Sequence, residues 1–256
     1  MKKSVCSMVL FCAFLILSPG AAPRAEEAAF QTPPAPTPGK WQRFWLNRVE
    51  KFRAENKTLD PGKKNIVFLG DSLTQGFQLK EYFPELPALN RGIGSDGVCS
   101  YPSSEHSWRG VTHRMKDSVF DCNPSHLFFL IGTNDVGPES IPIEYWLGAY
   151  KYVIRQTRKV FPEVKIILVT CPPTGLKYKR HEHLNARLLE WNKLVQQCAK
   201  KEDCRLIDLY SLLVGEDGLL PDEMTRDGLH FNHLGFERWA KAVRQILIED
   251  GVVKED

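Results

Sequence analysis

The chain has 256 residues, 43% of them hydrophobic and 25% charged, an ordinary composition for a soluble globular protein and enough for one medium domain with a sizeable core. The 34 basic and 31 acidic side chains give a formal net charge of +3, and no basic block is interleaved with aromatic residues. Nucleic acid is therefore excluded as an expected partner.

Lys2 and Lys3 precede the apolar run "VLFCAFLIL", which is followed by Ser18, Pro19, Gly20, Ala21 and Ala22. That order predicts a signal peptide over residues 1–25. The run is short for a bilayer span, so the expectation is export to the periplasm or beyond with no integral membrane domain left after cleavage. An uncleaved amino-terminal anchor is the alternative. Residues 26–40, "EEAAFQTPPAPTPGK", predict an extended Pro-rich linker, and the domain is placed at residues 41–256.

Trp41, Phe44, Trp45, Val49 and Phe52 recur at helical spacing and predict an amphipathic helix whose aromatics cover the sheet. Apolar runs at 66–69, 88–90, 127–131, 166–169 and 206–207 then read as short buried strands. Helical patterns near 108–117, 143–160, 183–200 and 234–248 separate them. Strands alternating with helices imply a parallel sheet covered on both faces.

Seven cysteines fall to five once Cys6 and Cys12 leave with the signal. Cys198 and Cys204 bracket a polar turn, so a disulfide there is plausible in an oxidising compartment. No cysteine pair has CxxC spacing and no metal site is expected. "HEH" at 181–183 reads as a solvated helix start, because i and i+2 diverge on a helix.

Polar loops recur where the strands end: "GDSLTQG", "NRGIGSDG", "GTNDVG", "TCPPTG" and "TRDGLHFN". In open α/β sheets that edge is where ligands bind. Ser72, just past the first strand, becomes a candidate nucleophile. Asp227 and His230 stand three residues apart, close enough for the acid to orient the imidazole as a base. The G-x-S-x-G elbow of the α/β-hydrolases is missing around Ser72.

These loops resemble the sequence blocks of the SGNH hydrolases, also called GDSL esterases and lipases. "GDSLTQG" resembles the first block, with Ser72 as nucleophile, and "NRGIGSDG" the second. "GTNDVG" resembles the third, with Asn134, and "DGLHFN" the last, with Asp227 and His230. The resemblance implies a flavodoxin-like three-layer α/β/α sandwich around a parallel sheet. It also implies a cofactor-independent serine esterase, with an oxyanion hole made by the Ser72 and Ser95 backbone N–H groups and the Asn134 side chain. Ser95 stands where the family usually has glycine, and Gly94 is the fallback donor if the register shifts by one.

The Trp41 helix and the late segments look most like the platelet-activating-factor acetylhydrolase small subunits and the carbohydrate acetylesterases. The expected substrate is an acetylated small molecule or polysaccharide. A lysophospholipase or thioesterase, an acyltransferase, and a non-catalytic carbohydrate-binding member are the rivals. Asp71 and Asp135 are expected to tie or orient their own loops, and Thr74 and Gln75 to belong to a helix start. Tyr101, His106, Trp108 and Arg109 could line the leaving-group side or belong to a solvated surface loop, and a pocket for a longer acyl chain could form between the 96–109 and 172–182 loops.

Overall fold

The computed structural model of the chain describes residues 39–100, 109–138 and 141–255. The predicted signal, nearly all of the linker, and Tyr101, His106 and Trp108 lie outside them. In chain order the elements are α1 (Lys40–Asn56), β1 (Asn65–Gly70), α2 (Ser72–Gly76), α3 (Leu79–Tyr82) and β2 (Ala88–Gly92). There follow α4 (Met115–Ser118), β3 (Pro124–Leu130), α5 (Ile143–Val160), β4 (Lys165–Val169) and α6 (His181–Lys201). The chain closes with β5 (Arg205–Ile207), α7 (Leu209–Leu213) and α8 (His233–Glu249).

The strands form one sheet in the order β2-β1-β3-β4-β5, every neighbouring pair parallel, flanked by helices in a three-layer α/β/α arrangement. Parallel strands covered on both faces must be apolar throughout, and β1 is buried at all six positions. Phe68 of β1 stacks on Phe128 of β3 at 4.8 Å between centroids. Phe77, just past α2, stacks on Trp239 of α8 at 4.5 Å, joining the sheet to the last helix.

In this strand order the chain reverses direction across the sheet at β1, between β2 and β3. The crevice outside the carboxyl ends of β1 and β3 is thus the topological switch point, where such sheets bind ligands. Gly70 closes β1 there. A Cβ on it would lie 2.2 Å from both Leu130 O and Thr74 Oγ1, so only glycine lets α2 pack this tightly on the strand ends.

Three expectations are corrected. Trp41, in the first turn of α1, is 59% exposed, whereas Trp45, Val49 and Phe52, further along the same face, are buried. Those three form a small cluster with Ile93, beyond the end of β2, separate from the main core that holds the sheet. The helix predicted over 108–117 is instead a 3-10 turn, Val111–His113, followed by the short α4. Its central residue, Arg114, is fully buried and bonded to the sheet edge, which an uninterrupted surface helix would not allow. Cys198 and Cys204, like Cys99, Cys122 and Cys171, are free thiols. Cys204 Sγ accepts from the Arg158 guanidinium at 3.5 Å.

Candidate active site

Asp71 begins the site. It caps α2, its Oδ1 accepting from Leu73 N–H at 3.0 Å, and so sets Ser72 at the first helical position with its amide outside the helical ladder. Among the described residues, no acceptor meets the Ser72 N–H. Asp71 is buried, and that burial pushes its carboxyl up to about 7.

The last block supplies the other two side chains. Gly228, at φ +82°, turns the chain after Asp227, so the Asp227 carboxylate can gather three donors. Oδ1 accepts from the Leu229 and His230 amides at 3.0 and 2.8 Å, and Oδ2 meets His230 Nδ1 at 2.8 Å. Partial burial raises the Asp227 carboxyl, but the hydrogen bonds from the His230 ring and these amides outweigh it and hold the acid below its ordinary value. His230 Nε2 lies 3.0 Å from Ser72 Oγ, across 158 residues of sequence.

The second and third blocks meet beside Ser72. Ile93 to Asp96 form a β-turn closed by Asp96 N–H to Ile93 O at 3.1 Å, with Ser95 at its third position and φ +60°. Positive φ at that position is the requirement of a type II turn, where glycine is the usual occupant. Ser95 adopts it, exposed, and its N–H has no acceptor among the described residues. Gly94 is not available as the alternative donor, because its amide is committed to Gln75 Oε1 at 2.7 Å. Asn134 Nδ2 spends one hydrogen on Asp96 O at 2.9 Å and keeps a second.

Two features of this frame carry no signal in the sequence. Arg114 is fully buried and donates to Asp96 Oδ2 at 2.8 Å, to Gly70 O at 2.9 Å, to Arg91 O at 2.7 Å and to Ser118 Oγ at 3.0 Å. One guanidinium thereby joins the ends of β1 and β2 to the Ser95 turn. Trp45 Nε1 donates to the other oxygen of Asp96 at 3.1 Å, bringing α1 into the same network. Asp135 reaches across to accept from Val98 N–H at 2.9 Å, and burial pushes it, too, up to about 7. Its second oxygen has no partner among the described residues.

A cleft of about 390 Å³ opens beside Asn134 and Leu229, between Arg109 and the 178–184 segment. "HEH" is the start of α6, as its spacing implied. His183 Nε2 faces Gly137 O at 3.3 Å.

The model of the GDSL-like lipase/acylhydrolase family matches residues 68–238. The chain is 26% identical over 210 residues to the platelet-activating factor acetylhydrolase IB subunit alpha1 of Pongo abelii, covering 80% of this chain and 83% of that protein. A GDSL-like lipase from Bacteroides thetaiotaomicron superposes with a TM-score of 0.66 at 19% identity, over 79% of this chain and 98% of that one. An acetylxylan esterase from Geobacillus stearothermophilus does so at 0.55 and 18%, over 71% and 93%. With strand order, sequence blocks and family match in agreement, the chain belongs to the GDSL-like lipase/acylhydrolase family and is an ester hydrolase.

Proposed function

We propose that the protein is an exported serine esterase that removes short acyl groups, acetyl above all, from carbohydrate esters. The observation that carries the mechanism is the continuous path from Asp227 through the His230 ring to Ser72 Oγ, at 2.8 and 3.0 Å. Ser72 Oγ attacks the ester carbonyl while its proton passes to His230 Nε2. Asp227, held ionised, keeps the proton on Nδ1 and stabilises the imidazolium. Negative charge builds on the former carbonyl oxygen, for which the Ser72 amide, the Ser95 amide and the second Asn134 N–H are the donors. Collapse breaks the bond to the alcohol, which leaves with the His230 proton. Water then repeats the sequence on the acyl-enzyme and frees the acid.

Export is supported by the layout of residues 1–25, and residues 41–256 are assigned to one hydrolase domain. Among the described residues, no helix is long and apolar enough to cross a membrane. The acyl preference draws on the acetyl-ester names of the relatives.

Purified protein is expected to release acetate from aryl acetate and from acetylated xylan. Ser72→Ala should lower kcat about a thousandfold or more with an unchanged melting transition. A variant that kept the wild-type rate would overturn the assignment. Each buried methylene contributes about 0.8 kcal/mol only where a pocket receives it, and a site built for acetyl receives none, so kcat/KM should be higher for the acetate than for the octanoate. Equal or better hydrolysis of the octanoate would point to a lysophospholipase or thioesterase.

A further inference from the structure

The cleft beside the candidate site has an uneven charge. Arg109 lines it from just before the Val111–His113 turn, Arg180 and His183 line it from the start of α6, and among the described residues no acid does. Arg109 makes no hydrogen bond among the described residues, and the acid that feels its charge is the buried Asp135. The Arg180 guanidinium donates to Tyr178 Oη at 3.3 Å and is otherwise exposed. Lys179, exposed in the same segment, extends the positive rim, whereas Lys177 is paired with Asp222 at 3.4 Å. The same lining includes Tyr178, Leu184 and Leu229, apolar and aromatic side chains of the kind on which a sugar ring rests. Asn134 and Leu229 belong to the cleft wall and also adjoin the reacting groups, Leu229 standing next to His230. A ligand filling the cleft therefore lies against Asn134 and beside the residue that precedes His230.

We infer that this cleft binds a carboxylate on the alcohol portion of the substrate, so that the natural ester is an acylated acidic sugar of the uronic acid class. Planar guanidinium forks pair with carboxylates through two parallel hydrogen bonds, and a lining with no acid among the described residues leaves their charge available to the ligand. The apolar wall then takes the ring face and the arginines take the carboxylate. Phosphate would meet the same forks. The carboxylate is preferred because one planar anion attached directly to the ring keeps that ring against Tyr178.

This inference rests on the esterase reading and is tested by a difference in charge alone. A mono-O-acetylated methyl glucuronoside and its carboxamide would be compared by released acetate, with aryl acetate assayed on the same preparation. Wild-type protein should favour the carboxylate in kcat/KM by about tenfold or more, chiefly through KM. Arg109→Gln and Arg180→Gln should each lower that ratio severalfold, and Arg180→Lys should retain part of it. Both substrates are measured on one preparation, so a folding loss cancels in the ratio. A wild-type ratio near one, a ratio unchanged in both glutamine variants, or failure to hydrolyse either glucuronoside while aryl acetate is turned over would each overturn the carboxylate site. Preference for a matched acetylated sugar phosphate over the glucuronoside would overturn it in favour of phosphate. If aryl acetate is also inert, the esterase reading falls and the inference falls with it.

Discussion

Ser95 is the residue at which local strain and proposed chemistry meet. Left-handed backbone costs a non-glycine residue about 1–2 kcal/mol, and a glycine there would offset part of that gain through its larger unfolded-state entropy, about 0.5–1 kcal/mol. Ser95→Gly should therefore raise stability by up to about 1 kcal/mol and remain active, as thermal melts and aryl acetate assays would register. Ser95→Ala keeps the N–H and should stay within a few-fold of wild type in kcat. A loss of about a hundredfold in the alanine variant would mean that the hydroxyl itself participates. Proline is a poor probe here, since its φ near −65° cannot match the +60° of the turn. Asn134→Ala removes a side-chain donor outright and should cost on the order of a hundredfold in kcat with little change in KM.

At the scale of elements, α1 and the segment leading into α4 brace the loops around Ser72 instead of enlarging the main core. Trp45 and Trp41 lie one helical turn apart on α1, yet only Trp45 is buried and bonded to Asp96. Trp45→Phe leaves Asp96 Oδ1 without that donor and should destabilise by about 1–3 kcal/mol, whereas Trp41→Ala should change stability by less than about 0.5 kcal/mol. Urea titrations of the two variants would show the contrast. Arg114 carries more. Replacing it with methionine strands the buried Asp96 carboxylate and removes the donor to the Gly70 and Arg91 carbonyls, so a loss of about 3–5 kcal/mol is expected. For a domain of this size that corresponds to a fall in Tm on the order of 10 °C.

Across the whole molecule, buried acids beneath the site link stability to pH. Asp71 and Asp135 are raised by burial from 3.8 to about 7. Between those values the folded chain holds protons that the unfolded chain has released, so stability falls as pH rises through the window and levels off above about 7. Asp135→Asn resembles the protonated acid and still accepts from Val98 N–H. Relative to wild type it should be near neutral below about pH 4 and gain on the order of 4 kcal/mol by about pH 8, because holding one proton across each pH unit of the window is worth about 1.4 kcal/mol. Comparing melts of the two proteins cancels the histidines, whose titration is common to both. A constant difference across the range would show that Asp135 is ionised throughout.

Much of this protein is written in neighbouring residues. Short apolar runs ending in glycine and polar loops, alternating with 3.6-residue patterns, are enough to specify a parallel sheet covered by helices, because burial on two faces demands continuous apolar strands. Ser72 and the Asp227/His230 pair are picked out as candidates by their place at the strand ends and their spacing, and Asn134 by the resemblance of its block to the family's third. What the tertiary structure alone decided are the partners brought together across long separations. The 3.0 Å approach of His230 to Ser72 depends on the packing of α8 and the last loop against the strand ends. The commitment of the Gly94 amide to Gln75, the positive φ of Ser95 and the bracing by Arg114 depend on where the ends of β1 and β2 meet α2. An arginine in a polar stretch reads as solvated, and nothing in its neighbours reveals that two strand ends and a buried aspartate will surround it. Periodicity reports which face is buried, whereas hydrogen-bond partners are chosen only when distant segments are packed together and every buried donor must find an acceptor.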